Sequence, residues 1–142
     1  MRSIAQEDSM GCGIACTACI INKSYKKTKK LFRNEKNAST KGYYCRDLTK
    51  VLKKRGLNYL YSKVRKENKN KIKNNGTIIF IKRDKKYPAG HYLIKTNRGW
   101  MNSWINFPKL PIKLGFQNKL PGKPQWIMYR EKIKKEEDKK KK

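Results

Sequence analysis

The spacing of apolar residues changes partway along this chain, close to Leu57. Before that point, residues 11–21 are small and apolar without proline, which predicts a buried helix. Apolar side chains also recur every three or four positions in residues 24–32 and 43–55. Gly56 then stands where a glycine commonly ends a helix. The first third of the chain is therefore predicted to be helical.

After Leu57 the pattern becomes that of strands, with short β-branched or aromatic runs. The predicted strands cover residues 58–64, 77–82, 90–96, 99–104 and 125–129. The Asn97-Arg98 pair predicts a hairpin turn between the third and the fourth of them. Residues 107–124 hold four of the five prolines and are predicted to form an ordered loop.

Helices followed by antiparallel strands predict an α+β fold, in which the N-terminal helices pack on the sheet. No internal repeat divides residues 1–130, so we expect them to form a single domain. Residues 131–142 are charged and repetitive, which predicts a disordered tail.

The formal net charge is +28, and residues 131–142 contribute only +3 of it. The basic character therefore belongs to the predicted domain, and such a field attracts polyanions and acidic partners. Lysines far outnumber the eight arginines, however, and sequence-specific readers of nucleic acid depend on arginine. This composition favours a general bias toward lysine on the protein surface over a nucleic-acid function. A nucleic-acid function stays open as an alternative.

The sequence also carries signals about its compartment. Residues 1–9 are mixed and polar, unlike a signal peptide, and no run approaches the roughly 18 apolar residues of a membrane span. Three of the four cysteines crowd into residues 12–19. We therefore predict a cytoplasmic protein whose cysteines are free thiols.

Four residues stand in an order that suits thiol chemistry. Cys12 begins the predicted buried helix, where the helix dipole and unpaired N–H groups favour a thiolate. Gln6, six residues earlier, is a candidate oxyanion donor together with the backbone N–H of Cys12. His91, the single histidine, begins a strand, and Asn102 lies across the predicted hairpin, suited to hold the imidazole. Each residue alone is more often structural, and their conjunction predicts a thiol hydrolase.

The string Gln6-x5-Cys12-Gly13-x-Ala15-Cys16, with Gly90-His91-Tyr92 downstream, resembles the bacteriocin-processing peptidases. These are papain-like cysteine peptidases that cut double-glycine leader peptides. The resemblance implies a papain-like fold, Gln6 as oxyanion donor, Cys12 as nucleophile and His91 as general base. It also implies a peptide or protein substrate with small residues before the cut, and the charge adds an acidic substrate as a hypothesis.

The resemblance is not complete. The family usually has Asp followed by Pro as its third member, whereas this chain has Asn102-Ser103-Trp104, which is similar to the Asn-Ser-Trp of papain. No cofactor or metal is expected for this chemistry. An iron–sulfur or zinc site on Cys12, Cys16 and Cys19 is a weaker alternative, because the chain is short and the spacing fits no common zinc motif. A non-catalytic basic binding module on a degenerate peptidase fold is the other alternative.

Overall fold

The computed structural model describes residues 1–131 as helices packed on one antiparallel sheet. The helices are α1 (Cys12–Ile21), α2 (Tyr25–Lys29) and α3 (Cys45–Lys54), with short 3-10 turns at Glu35–Ala38 and Lys69–Lys73. The strands are β1 (Tyr59–Lys63), β2 (Ile78–Ile81), β3 (His91–Thr96), β4 (Gly99–Asn102), β5 (Gly115–Gln117) and β6 (Pro124–Arg130). The α+β prediction is confirmed. The tail predicted for residues 131–142 lies, apart from Glu131, outside the described residues.

The sheet has the strand order β1-β6-β2-β3-β4-β5. The predicted hairpin is β3–β4, in which Ile94 faces Met101 and Thr96 faces Gly99. The strand β5 lies inside the proline-rich segment that was predicted to be an ordered loop, and it pairs with β4. This strand has only three residues and lies in a segment rich in turn-forming residues. Its alternation of apolar and polar side chains is therefore too short to predict a strand.

The central strand β2 is apolar at every position because helices cover one face of the sheet and loops cover the other. Ile78 belongs to the core beneath the helices, together with Ile14 and Leu48. Ile79 belongs to a second core with Leu93, on the face covered by loop residues. Each of these isoleucines is 0% exposed, and burying such a side chain contributes roughly 2–3 kcal/mol.

The helix α1 is the most buried helix of the chain segment that the structure describes, which its uninterrupted apolar sequence predicted. Seven of its ten residues are buried, and it contacts β3, α2 and α3. The helix α3 is instead amphipathic: Leu48 and Leu52 are buried, while Lys50 and Lys53 are exposed. It is followed by Gly56 at φ +81°, a conformation that favours glycine and confirms the predicted end of the helix. Within residues 1–131, no helix has the length and apolarity needed to cross a membrane.

Candidate active site

Cys12 is the first residue of α1, as the sequence predicted. The preceding Gly11 is the N-cap of the helix, and no side chain caps it. Asp8, three residues earlier, accepts a hydrogen bond from the Tyr25 hydroxyl at 2.7 Å. A Cβ on Gly11 would overlap that same hydroxyl, so the absence of a side chain at this position lets α1 start against Tyr25.

The environment of the Cys12 thiol favours its protonated form. Burial raises its pKa to about 11, although hydrogen bonds from the backbone of Tyr92 and Gly13 act in the opposite direction. This direction is the reverse of the one expected for a thiol at a helix N-terminus, because desolvation outweighs the local N–H groups. Cys12 is half-buried, whereas the other three cysteines, Cys16, Cys19 and Cys45, are buried.

His91 begins β3, and its imidazole faces Asn102 of the neighbouring strand. Its Nε2 lies 2.7 Å from Asn102 Oδ1, so the predicted contact across the hairpin is present. The backbone N–H of Trp104 donates to the same Oδ1 at 3.0 Å, which identifies that atom as the amide oxygen. Since an oxygen can only accept here, Nε2 carries the proton and Nδ1 of the neutral ring is the free base.

Burial also sets the protonation of His91. It lowers the pKa of the imidazole to about 4, and the hydrogen bond with Asn102 offsets only part of this effect. Burial therefore favours a neutral thiol and a neutral imidazole over the thiolate that the helix N-terminus was expected to favour.

Asn102 is fully buried and uses its whole amide group. Its Nδ2 donates to the Tyr87 hydroxyl at 3.0 Å and to Gln117 Oε1 at 2.9 Å. Sequence reasoning missed both of these partners. Gln117 lies in the short strand between prolines, and Tyr87 precedes His91 by four residues with no motif that marks it.

Gln6 is buried beside the loop that leads to Cys12. Its Oε1 accepts from Ser103 Oγ at 2.8 Å. Its Nε2 donates to the carbonyl of Asp8 at 2.9 Å and to that of Ser9 at 3.3 Å. The side chain amide therefore holds the loop before α1 in the resting protein, and the longer of the two bonds is the weaker one.

Gln6, Cys12 and His91 line one cleft of about 790 Å³, and Asn102 lies behind the histidine. Within the described residues, no hydrogen bond joins the Cys12 thiol to His91. The same residues 1–131 contain no group of three His, Cys, Asp or Glu side chains arranged to hold a metal.

A helix that presents a cysteine at its N-terminus, packed against an antiparallel sheet that presents a histidine, defines the class of papain-like cysteine peptidases. The sequence matches the Peptidase C39 family over residues 1–110, and the chain belongs to that family. The expected resemblance to bacteriocin-processing peptidases is thereby confirmed, and the family acts on peptide or protein substrates.

Solved structures show the same fold. The crystal structure of the peptidase domain of Streptococcus ComA, a bi-functional ABC transporter involved in a quorum-sensing pathway, superposes with a TM-score of 0.52 at 15% identity. The alignment covers 89% of this chain and 95% of that domain. No curated protein matches the sequence significantly.

Proposed function

We propose that this cysteine peptidase cleaves peptide bonds with Cys12 as nucleophile, His91 as general base, Asn102 as the residue that orients His91, and Gln6 as an oxyanion donor. The observation that carries the proposal is the 2.7 Å contact between His91 Nε2 and Asn102 Oδ1. It leaves Nδ1 as the basic atom of a histidine that lines the same cleft as Cys12.

The reaction starts from the neutral pair. Nδ1 of His91 removes the thiol proton as Cys12 Sγ attacks the substrate carbonyl carbon, so charge develops in the transition state and not in the resting enzyme. The imidazolium then gives that proton to the leaving amine, and a thioester forms on Cys12. Water, deprotonated by Nδ1, hydrolyses the thioester and releases the acid.

The oxyanion is held by two donors. The backbone N–H of Cys12 lies at the first position of α1, where no helix carbonyl is available to accept it. The second donor is Gln6 Nε2, which exchanges its 3.3 Å bond to Ser9 O for the substrate oxygen and keeps its 2.9 Å bond to Asp8 O. The bond from Ser103 to Gln6 Oε1 supports this orientation of the amide.

Residues 1–130 are proposed to act as one peptidase domain in a reducing cytoplasm, where four free cysteines are stable. We propose a peptide or protein substrate with small residues before the cut. An acidic substrate is favoured by the cations Lys41, Arg46, Lys82 and Arg83, which line the cleft.

Alkylation with iodoacetamide followed by mass spectrometry tests the pair. Cys16, Cys19 and Cys45 are at most 8% exposed, so their slow labelling follows from burial and shows nothing about catalysis. The informative comparison is wild type against His91→Ala, in which we expect Cys12 labelling near neutral pH to fall at least about tenfold for lack of a base. Equal labelling of Cys12 in the folded variant would contradict the proposal.

The alternative is a non-catalytic basic binding module on a degenerate peptidase fold. It is favoured by two observations: the Gln6 amide is fully occupied in the resting protein, and burial raises the pKa of the Cys12 thiol. Labelling of Cys12 that is independent of His91, together with no hydrolysis of any peptide in a mixed peptide library, would select this alternative.

A further inference from the structure

The exposed face of α3 forms a second, cationic groove. Arg46, Thr49, Lys50, Lys53 and Lys54 line it, together with Tyr61 of β1. The four cations recur at helical spacing because the opposite face of α3 is buried in the core. We call this surface the α3 groove.

The α3 groove adjoins the cleft that holds Cys12. Arg46 and Tyr61 line both spaces, so they mark the junction. The guanidinium of Arg46 lies 5.3 Å from the ring centroid of Tyr44, an exposed aromatic residue that also lines the cleft. A peptide bound in the cleft can therefore continue along α3 and stay in contact with the protein.

Neither space contains an acidic side chain among the described residues that line it. The nearest acidic residue in sequence, Asp47, accepts a hydrogen bond from the backbone of Tyr44 at 2.8 Å and caps the helix. The cations of the groove thus have no carboxylate of their own within it, and a bound carboxylate would meet positive charge on each side.

We propose that the α3 groove is a docking site for an acidic segment of the peptide substrate, outside the residues that are cut. This inference rests on the proposed peptidase function. From Arg46 to Lys54 the helix rises about 12 Å, which an extended peptide spans in about four residues. The substrate would therefore carry a cluster of Asp or Glu over about four positions, some residues away from the scissile bond.

A peptide suits this groove better than a nucleic acid. The groove leads to a cleft in a chain that belongs to a peptidase family. Three of its four cations are lysines, which are point charges, whereas phosphate recognition is strengthened by the bidentate fork of arginine.

The test compares two variants with the same loss of charge. The first carries Lys50→Gln, Lys53→Gln and Lys54→Gln in the groove. The control carries Lys26→Gln, Lys27→Gln and Lys30→Gln on and after α2, where the three lysines are equally exposed. Both are made in the Cys12→Ala protein, so that binding is measured independently of catalysis. Circular dichroism verifies the fold of each.

Binding of a fluorescein-labelled oligoglutamate peptide is followed by anisotropy at low salt. We expect the groove variant to weaken binding by about tenfold, since it removes three exposed charge pairs, and the α2 variant by less than twofold. Equal weakening in both variants would overturn the proposal, because it would show attraction to the net charge alone. Tighter binding of an oligothymidylate of equal charge, lost in the groove variant, would assign the groove to nucleic acid and overturn it as well.

A second measurement connects the groove with the cleft. In the protein that retains Cys12, a saturating peptide that joins four glutamates to a neutral segment long enough to reach the cleft is expected to slow iodoacetamide labelling of Cys12 at least threefold, and to have no such effect in the groove variant. Binding without this protection would overturn the substrate role. Failure of the proposed catalysis is a separate result, since it appears as His91-independent labelling with no change in peptide binding.

Discussion

The ring of Tyr87 stacks on the imidazole of His91, with centroids 4.5 Å apart and planes inclined by 8°. The hydroxyl of the same tyrosine accepts a hydrogen bond from Asn102 Nδ2. Tyr87 therefore contacts the base and also the residue that orients it. It contributes to the burial that leaves His91 4% exposed and that lowers the pKa of its imidazole.

Replacement of Tyr87 separates these two effects. Tyr87→Ala removes the stacked ring and admits water, so the pKa of His91 is expected to rise from about 4 toward its ordinary value of 6.5. Tyr87→Phe keeps the ring and is the matched control, with a pKa close to that of the wild type. Because the chain has one histidine, an NMR titration of the imidazole protons reads this pKa directly. A wild-type pKa near 6.5 would contradict the burial argument.

The lowered pKa also makes stability depend on pH in a defined window. The unfolded chain binds a proton at His91 below pH 6.5 and the folded chain only below about pH 4, so stability is lost as the pH falls between these values. At pH 4.5 the loss relative to pH 7 is roughly 2–3 kcal/mol in the free energy of unfolding. Urea unfolding at both pH values measures it, and His91→Gln serves as the control because it retains the titration of the carboxylates. An equal pH dependence in both proteins would refute the assignment.

Asn102→Asp brings the site closer to the Asp of the family pattern. A carboxylate beside Nε2 stabilises the imidazolium and is expected to raise the pKa of His91 by about one to three units. The Tyr87 hydroxyl can donate to the new oxygen and Gln117 can turn its amide, so both partners stay satisfied. Cys12 alkylation at pH 7 is then expected to rise about tenfold. A raised pKa of His91 without faster alkylation would show that the two residues are uncoupled.

The fold was predictable because each of its main apolar segments shows a single, unambiguous pattern. The residues of α1 are apolar on every side and those of β2 on both faces, and each pattern matches a fully covered element. The strand β5 was missed because three residues between prolines leave no period to detect. Its position is set by pairing with β4, which no local pattern reports.

The candidate site was predictable in its membership and not in its electrostatics. The order of Gln6, Cys12, His91 and Asn102 is visible in the sequence, and the contact between His91 and Asn102 follows from the hairpin. The protonation states depend on burial by residues distant in sequence, such as Tyr87 and Tyr92. For this reason the sequence predicted a lowered pKa for Cys12, whereas burial raises it. The occupied amide of Gln6 likewise depends on where two backbone carbonyls lie in space.

The pH dependence of alkylation tests whether His91 acts as a base toward Cys12. With a pKa of about 11 for Cys12, the thiolate fraction is expected to increase tenfold for each pH unit from pH 6 to pH 10. In His91→Ala, the logarithm of the iodoacetamide rate should therefore rise with a slope near one and no plateau. In the wild type, proton removal by the neutral His91 is expected to add a rate that is independent of pH between about pH 5 and pH 8. A wild-type rate that follows the slope of the variant throughout would contradict the role of His91 as base. Free cysteine, measured in parallel, corrects for the chemistry of the reagent.

The oxyanion role of Gln6 is testable without knowledge of the substrate. A peptide aldehyde forms a hemithioacetal with Cys12 whose oxygen occupies the oxyanion position, whereas iodoacetamide alkylates the same thiol without forming an oxyanion. Gln6→Ala is therefore expected to weaken inhibition by the aldehyde about 100-fold and to change the alkylation rate less than threefold. Ser103→Ala is the control, because it removes the bond to Gln6 Oε1 but leaves the donor in place, and we expect a loss below about tenfold. Should Gln6→Ala reduce both reactions equally, Gln6 acts by holding the loop at Asp8 and Ser9 and not as a donor to the oxyanion.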